Sequence, residues 1–445
     1  MSRPPRPVFA ELWAKRPPSI IKPGLSRVEA ALQELRAEGL TETPAVIVGG
    51  TNGKGTTSSF LWRLRCLGGH HAGLYTSPHL VHFCERITVP GTPVSDDDIE
   101  QGLVELRRDL SPATWDAMSF FEVTTVLALR MFKRRRTTMN VLEVGLGGRL
   151  DATNACQPVR SVIVSIGLDH CELLGHTPAA IARENSGIRR PGVPIFWGGR
   201  LGSAAEADRE IREQAKRLGA PLYDDQDFFG IEPVGTESVG FEALRWLRFQ
   251  GHRDALLPEE LRLAPFWMQR NFALAWAVAR SLGVTASVLE GWGDFSKVPR
   301  PPTLQGRFDW RVVDEQRLLI DVCHNPHGAE AFVSGLPKDA RWPALVSILR
   351  DKDIAGILEV LRPSVGPVIL FSTPGERALR LEDLVNVRPE LLEGVEWCPS
   401  WEDAWNLAHK KWRSLARPWI VCGSVHAVGS VLEWISEKSA SADPH

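Results

Sequence analysis

A glycine-rich segment at residues 48–57, with the sequence VGGTNGKGTT, most strongly limits how this chain can fold. An apolar run at residues 45–48 precedes it and predicts a buried strand, and residues 56–67 predict a helix. Glycines let backbone N–H groups turn toward an anion, and a helix start adds positive potential. Lys54 is placed to reach terminal phosphates, and Thr56 to offer its hydroxyl to Mg2+. We therefore predict a phosphate-binding loop made of Asn52, Gly53, Lys54, Gly55, Thr56 and Thr57.

The segment departs from the strict G-x-x-x-x-G-K-[ST] pattern of phosphate loops. Position 48 is Val, and Gly55 stands between Lys54 and Thr56. The alternative is a glycine-rich strand-to-helix turn with no ligand. The strand and helix on either side, together with the lysine and hydroxyl pair, favour phosphate binding.

Strand and helix patterns alternate along the chain, which predicts an α/β protein with a parallel sheet. A proline-rich stretch at residues 298–302 then reads as a linker, because prolines cannot continue an element. The alternation restarts after it, so we predict two α/β domains, residues 1–298 and 303–438. Strands are predicted at residues 45–48, 73–75, 140–144, 161–166, 318–322, 344–348, 368–371 and 419–422, and helices at 56–67, 96–110, 120–132 and 177–188.

Charge and cysteine usage exclude several classes of protein. The 52 Lys and Arg residues nearly balance the 54 Asp and Glu residues, so bulk electrostatics predict no nucleic-acid partner. The seven cysteines are scattered, which argues against a disulfide framework and structural zinc. Residues 1–7 lack the apolar core of a signal peptide, and no apolar run is long enough to span a membrane. We expect a cytoplasmic protein.

Several further motifs extend the pattern beyond the phosphate loop. They stand at residues 73–80, 85–87, 119–122, 142–154, 165–170, 305–308, 321–326, 351–353 and 423–426. With residues 48–57 they resemble, in order and over residues 12–435, the dihydrofolate synthase/folylpolyglutamate synthase family of the Mur ligase superfamily. The resemblance implies a P-loop Mur-ligase-type ATPase domain with a parallel sheet, followed by a smaller Rossmann-like C-terminal α/β domain. It also suggests a monomer.

The activity that the resemblance implies is the ATP-dependent joining of L-glutamate to a dihydropteroate or folate carboxylate. A carboxylate is a poor acyl donor, and transfer of the γ-phosphoryl group converts it to an acyl phosphate with a good leaving group. The glutamate amine then attacks and phosphate leaves. The protein's part in such chemistry is mostly positioning and charge neutralisation. ATP and Mg2+ are the expected cofactors.

The expected catalytic residues are Lys54, Glu143 and His170. Glu143 ends a predicted strand before a glycine-rich turn, where α/β sheets bind ligands, and its carboxylate suits Mg2+. A capping or salt-bridged glutamate is the alternative. His170 is an unusual Mg2+ ligand, so a structural histidine is its alternative, with Asp169 placed to orient it. The predicted metal ligands are Thr56, Ser77, Glu143 and His170.

Two further sets of residues follow from the resemblance. One set is expected to contact the pterin-bearing substrate. For Phe120 and Phe121 the alternative is that they belong to the apolar core of a helix and contact no ligand. The predicted substrate residues are Arg27, Ser119, Phe120, Phe121, Glu122, Leu150, Asp151 and Ala152. The nucleotide contacts draw on both predicted domains, and a planar guanidinium suits phosphate. The predicted nucleotide residues beyond the loop are Asn271, Arg307, Asp321 and His324.

Asn185 marks a departure from the family. The family usually has a lysine there whose carbamate helps to hold a second Mg2+, and Asn185 cannot be carbamylated. An amide oxygen is a weaker ligand for Mg2+ than a carboxylate-like group, so we expect a weak second metal site or another group in its place.

Two other functions stay open from the sequence. One is a Mur-type ligase that joins a different carboxylate and amino acid. The other is a non-catalytic nucleotide-binding relative, against which the presence of Lys54, Glu143 and His170 argues.

Overall fold

The computed structural model describes residues 7–17, 22–91, 93–199, 204–232, 243–296, 298–301, 304–338, 340–415 and 417–441. Pro302, in the predicted linker, lies outside these residues. The chain divides into two compact units, residues 1–79, 83–262 and 268–303 in the first, and residues 80–82, 263–267 and 304–445 in the second.

The helices are α1 Pro7–Lys15, α2 Ser26–Glu34, α3 Lys54–Leu67, α4 Asp96–Asp109, α5 Pro112–Ala117, α6 Phe120–Arg134, α7 Cys171–Leu174, α8 Pro178–Asn185, α9 Ala205–Arg217, α10 Asp225–Phe228, α11 Glu259–Arg262, α12 Phe266–Ser281, α13 Pro326–Ser334, α14 Ile354–Leu361, α15 Pro389–Leu392, α16 Trp401–Trp412 and α17 Val425–Ser441. The strands are β1 Ala45–Gly49, β2 Ala72–Tyr75, β3 Ile87–Thr88, β4 Met139–Glu143, β5 Pro158–Ile163, β6 Ile195–Trp197, β7 Leu222–Tyr223, β8 Phe229–Glu232, β9 Ala243–Phe249, β10 His252–Leu256, β11 Asp309–Val313, β12 Gln316–Asp321, β13 Trp342–Val346, β14 Val365–Phe371, β15 Val395–Cys398 and β16 Trp419–Cys422. No described helix combines the length and the apolar character that crossing a membrane requires.

The main sheet of the first unit has the order β3-β2-β4-β1-β5-β6-β7. Its strands pair in parallel, except that β3 runs antiparallel to β2. All five residues of β1 are buried, as expected for a central parallel strand covered on both faces. The carboxyl ends of β1, β2, β4 and β5 therefore meet at one edge, where ligands bind in open α/β sheets.

Strand β5 lies three residues earlier than predicted, because it runs from Pro158 to Ile163 rather than from residue 161 to residue 166. The Val164 amide still donates to the Gly49 carbonyl at the end of the β1–β5 pairing, whereas the Ser165 carbonyl accepts from the Thr51 amide in the phosphate loop. The backbone after Ile163 therefore bonds to the loop instead of extending the strand. The first unit also contains a small antiparallel sheet, in the order β10-β9-β8, that the sequence did not predict.

Arg63 fastens helix α3 to the last residues of the first unit. Its side chain is fully buried, and its guanidinium donates to the carbonyl oxygens of Trp292, Asp294 and Val298. The guanidinium also lies 4.1 Å from the ring centre of Phe295. Burial lowers the pKa of Arg63 to about 10, so the group stays charged at neutral pH.

The second unit contains a six-stranded sheet in the order β11-β12-β16-β13-β14-β15. All pairs are parallel except β11 with β12. Apolar clusters cover both faces of this sheet. One of them is rich in tryptophan, with Trp401, Trp405, Trp412 and Trp419 all buried. This is the layered arrangement that parallel sheets require.

Candidate active site

The phosphate loop joins the carboxyl end of β1 to the start of α3, and its shape requires glycine at two positions. Gly50 has φ of 128° and Gly53 has φ of 82°, a region that other residues rarely adopt. A Cβ atom on Gly50 would lie 2.9 Å from the carbonyl oxygen of Ser165. The loop therefore packs its backbone directly against the segment after β5.

Hydrogen bonds fix the loop to that segment. The Thr51 amide donates to the Ser165 carbonyl over 2.7 Å, and the Asn52 amide donates to the Ser165 hydroxyl over 3.2 Å. The Thr51 hydroxyl bonds both the carbonyl and the amide of Gly167 at 3.0 Å. Because partners far along the chain hold the loop at several points, its backbone is preorganised rather than a free turn.

Lys54 folds back over this loop. Its ammonium Nζ donates to the carbonyl oxygen of Gly50 over 2.8 Å and to that of Thr51 over 3.0 Å. A positive charge thus lies beside the glycine-rich backbone at the start of α3, where the helix itself favours anions. Thr56 and Thr57 follow in the first turn of α3 and are buried.

Glu143 ends β4 and approaches the same corner. Its Oε2 accepts from the Ser77 amide over 2.9 Å. A Cβ atom on Gly55 would lie 3.4 Å from that oxygen, so the carboxylate stands against the first turn of α3. The structure thereby brings Glu143, Ser77 and the first turn of α3 together.

His170 lies at the start of α7 with a left-handed backbone, φ 49°, and an exposed side chain. Its amide donates to Oδ1 of Asp169 over 2.9 Å, and its Nε2 lies 3.9 Å from the same oxygen. Asp169 is therefore the neighbour that the sequence suggested. Across the described residues, no group of three or more His, Cys, Asp or Glu side chains forms a metal cluster.

The donor set at the Glu143 corner suits a Mg2+ ion that arrives with phosphates. One buried carboxylate accepts from the amide of Ser77 and stands against Gly55, the residue before Thr56. Protein sites for Mg2+ commonly supply one or two carboxylates and leave the remaining positions to phosphate and water. Glu143, Thr56 and Ser77 are all oxygen donors and fit that pattern, whereas His170 supplies a nitrogen donor.

Most of the predicted acid-substrate residues come together around the start of α6. Glu122 is buried, and its carboxylate accepts from the Arg27 Nε over 3.0 Å and from the Ser119 amide over 2.7 Å. Ser119 and Glu122 form a reciprocal capping box for α6. Phe121 packs on Gly145, whose Cβ would lie 2.7 Å from the Phe121 ring. These contacts place a fixed cation and an aromatic face beside the turn after β4.

Phe120 is 2% exposed and belongs to the core, where its ring meets that of Trp13 at 5.3 Å in an edge-on arrangement. Ala152 is also buried. Leu150 is half-buried, and its carbonyl accepts from the Gly24 amide over 3.3 Å. The structure thus puts Leu150 beside the N-terminal segment that carries Arg27, but packs Phe120 and Ala152 inside.

Asp151 organises the glycine-rich turn after β4. Its Oδ2 accepts from the amides of Gly145 and Leu146 at 3.0 and 3.3 Å. Its Oδ1 accepts from the amide and the hydroxyl of Thr153 at 3.0 and 2.6 Å. Burial raises the pKa of Asp151, and these hydrogen bonds counter that rise. All four bonds stay within the turn, so the contribution of Asp151 visible here is to hold the turn's shape.

Asn271 is the predicted nucleotide residue in the first unit. It lies on α12 against the phosphate loop, since a Cβ atom on Gly53 would come within 2.7 Å of its Nδ2. Gly53 is thus the second point at which the loop needs a residue without a side chain.

The other predicted nucleotide residues belong to the second unit. Asp321 ends β12, and its two oxygens accept from the amides of Phe308 and Cys323 at 2.8 and 2.9 Å. Burial raises the pKa of Asp321, while the positive charge of Arg307 lowers it. His324 is half-buried in the loop that follows. The structure therefore gathers Arg307 and Asp321 at the carboxyl end of β12.

Sequence reasoning missed the residues that hold the loop. Thr51 lies inside the motif, but its bonds to Gly167 have no local signal. Asn185, at the end of α8, bonds Gly50 over 2.9 Å through its Oδ1, although its sequence position suggested only a lost metal ligand. Arg86, in the motif at residues 85–87, had no predicted role; it is buried, and its Nε donates to His79 Nδ1 over 2.9 Å. Burial lowers the Arg86 pKa, and the negative charge of Glu143 raises it.

No family model matches the chain. Among curated proteins it is 34% identical over 427 residues to the dihydrofolate synthase/folylpolyglutamate synthase of Escherichia coli K12, covering 93% of this chain and 92% of that protein. The chain belongs to the dihydrofolate synthase/folylpolyglutamate synthase family. A folylpolyglutamate synthase of Lacticaseibacillus casei is 30% identical and covers 74% of this chain and 76% of its own.

Solved structures of family members match almost the whole chain. E. coli FolC in complex with DHPP and ADP has a TM-score of 0.78 and 30% identity, and the match covers 98% of this chain and 100% of that one. The bifunctional synthase of Yersinia pestis, complexed with AMPPNP and Mn ion, has a TM-score of 0.75 and 28% identity with the same coverage. The predicted family and the α/β Mur-ligase-type fold class are confirmed.

Proposed function

We propose that this family member is an ATP-dependent ligase that joins L-glutamate to dihydropteroate, to folates, or to both, through an acyl phosphate. The observation that carries the proposal is the preorganised phosphate loop, with Lys54 above it and Glu143 beside it. The likeness to synthases along nearly the full chain supports the same reaction. We further propose that residues 1–298 form the ATPase domain and residues 303–438 the C-terminal ligase domain, which the division of the chain near residue 303 supports.

The first task of the site is to bind and orient the triphosphate. The amides of the loop and the start of α3 face the anion, and Lys54 exchanges its two carbonyl partners for the β- and γ-phosphates. As the γ-phosphoryl group moves to the substrate carboxylate, the Lys54 charge offsets the negative charge on the transferring oxygens. We propose that Asn271 contacts the nucleotide from α12, and that Arg307, Asp321 and His324 contact it from the second unit.

A divalent cation completes the neutralisation of charge. We propose that Glu143, Thr56 and Ser77 would hold Mg2+, which when bound would supply positive charge to neutralise the phosphates. Glu143 is set for this role because the Ser77 amide fixes one oxygen of its carboxylate. His170, exposed beside Asp169, is the proposed ligand of a second ion.

The pterin-bearing acid is proposed to bind beside the start of α6 and the turn after β4, which pack against each other. Phe121 offers an aromatic face to a flat heterocycle, and Arg27, held by Glu122, which the Ser119 amide fixes in turn, offers a cation to the acid. Asp151 keeps the turn that carries Leu150 in shape. Phe120 and Ala152 are buried, and they support the proposed binding residues from the core.

The remaining predictions stand as parts of the proposal. The partners are small molecules, namely ATP, L-glutamate and a pteroate or folate, with no nucleic acid and no membrane. We propose that the protein acts in the cytoplasm as a monomer.

The test is phosphate release from Mg·ATP with L-glutamate, with and without dihydropteroate or tetrahydrofolate. Lys54→Ala should lower the rate by about 100-fold or more, because it removes the charge that faces the phosphates. Lys133→Ala is the matched control. Lys133 lies near the end of α6 and its ammonium pairs with the exposed carboxylate of Glu42, so the rate of this variant should equal that of the wild type.

The substrate pattern identifies the reaction. Release that needs dihydropteroate identifies the first ligation, and release that needs tetrahydrofolate identifies chain extension. A wild-type protein that binds ATP but stays silent with both acids would turn the assignment toward a ligase for another acid or a non-catalytic relative.

A further inference from the structure

The side chain of Asn185 is a buried bridge. Asn185 is the last residue of α8 and is 1% exposed. Its Oδ1 accepts from the Gly50 amide over 2.9 Å, and its Nδ2 donates to the Ile181 carbonyl over 2.9 Å. Both ends of the carboxamide are therefore satisfied, one by the phosphate loop and the other by the helix.

The bridge continues through the backbone of Gly50 to Lys54. Asn185 holds the amide side of Gly50, and the Gly50 carbonyl accepts from the Lys54 ammonium over 2.8 Å. Where a side chain would stand on Gly50 there is no room, because a Cβ atom would lie 2.9 Å from the Ser165 carbonyl oxygen. Gly50 is thus clamped between Asn185 and Ser165, and its orientation sets where Lys54 is held.

The backbone of Asn185 touches the second glycine-rich turn as well. A Cβ atom on Gly148 would lie 2.6 Å from the Asn185 carbonyl oxygen, and one on Gly49 would lie 3.6 Å from it. The end of α8 consequently packs against both the phosphate loop and the turn after β4. Asn185 lies where these two segments meet.

We propose that Asn185 is a positioning residue that fixes the Gly50 peptide, and through it the phosphate loop and Lys54, before nucleotide binds. The proposal rests on the proposed function, since it takes the loop as the nucleotide site. A neutral carboxamide suits this place because it accepts from one partner and donates to the other. A carboxylate would bring negative charge next to the phosphates and would present an acceptor to the Ile181 carbonyl.

Nucleotide binding, rather than turnover alone, tests the proposal. The dissociation constant of Mg·AMPPNP is measured by calorimetry for the wild type, Asn185→Ala and Asn185→Asp, together with the KM for ATP and for L-glutamate and the melting temperature. Asn185→Ser, a milder change, is measured in the same way and takes the place of any variant that does not fold.

Asn140→Ala is the matched control. Asn140 is also 1% exposed, and its Oδ1 also accepts a hydrogen bond, from the Thr137 hydroxyl over 2.8 Å. It lies near the start of β4, at the opposite end of the strand from Glu143. Its loss should lower the melting temperature without changing nucleotide affinity.

Asn185→Ala should raise the dissociation constant of Mg·AMPPNP and the KM for ATP by about 10- to 100-fold, because the loop then spends less time in its binding shape. The KM for L-glutamate should stay near its wild-type value. Asn185→Asp should weaken nucleotide binding at least as much, since it adds charge beside the phosphates.

Two results would overturn the proposal in different ways. If the wild type binds Mg·AMPPNP and a folded Asn185 variant binds it equally well, Asn185 has only a structural role and the proposed function is untouched. If the wild type binds no nucleotide, the proposed function fails and the role of Asn185 fails with it.

Discussion

Replacing Gly50 by alanine tests whether the phosphate loop depends on close backbone packing. At φ of 128° an alanine is strained, which costs about 1–3 kcal/mol. The new Cβ atom would also lie 2.9 Å from the Ser165 carbonyl oxygen and 3.1 Å from the amide nitrogens of Ser165 and Val164. Since all three are backbone atoms, no side-chain rotation relieves the contact, and shifting the segment costs about another 1–3 kcal/mol.

Gly69→Ala separates the cost of backbone strain from the cost of the steric contact. Gly69 has φ of 81°, and nothing lies within 4 Å of the place where its Cβ atom would stand. This variant carries only backbone strain, about 1–2 kcal/mol. Urea denaturation should therefore show a larger loss of unfolding free energy for Gly50→Ala, by about 1–3 kcal/mol, and only Gly50→Ala should weaken AMPPNP binding. Equal losses in the two variants, with unchanged binding, would refute the reasoning.

Three further substitutions address the catalytic corner, the turn after β4 and the buried arginine. Glu143→Gln keeps an oxygen for the Ser77 amide but removes the charge, so kcat should fall by about 100-fold with little change in melting temperature, and steady-state kinetics should show a higher Mg2+ requirement. Asp151→Asn turns an N–H donor toward other donors, and should lower the free energy of unfolding in urea by about 1–3 kcal/mol. Arg63→Met leaves buried carbonyls unpaired and should cost about 2–4 kcal/mol in the same assay, whereas Arg107→Met, at an exposed ion pair, should have little effect.

Much of the architecture was predictable because its signals are local. Buried parallel strands read as continuous apolar runs, and β1 and β16 therefore appear at or within one residue of their predicted bounds. The helix after the phosphate loop was similarly clear, although it begins at Lys54 rather than Thr56. Lys54 and Glu143 were identifiable because a glycine-rich turn stands next to each in the sequence.

What escaped prediction depends on contacts between distant parts of the chain. Asn185 and Gly50 are 135 residues apart, and the sequence around either residue does not predict their hydrogen bond. The end of β5 at Ile163 has a similar cause, because the Ser165 carbonyl bonds the Thr51 amide of the phosphate loop rather than a strand. Phe120 and Phe121 show the limit differently: adjacent positions on one helix point one ring into the core and the other toward Gly145.

The position of Arg63 decides how far the first unit extends along the chain. A protein shortened to end at Ser281, the last residue of α12, would keep every strand of the main sheet but would lose the three carbonyl groups that surround this guanidinium. A buried cation without partners is a severe fault in a folded protein. The shortest stable fragment should therefore run to Val298, well past the end of α12. Residues 282–298, although they follow the last strand of the sheet, are required for the first unit to fold.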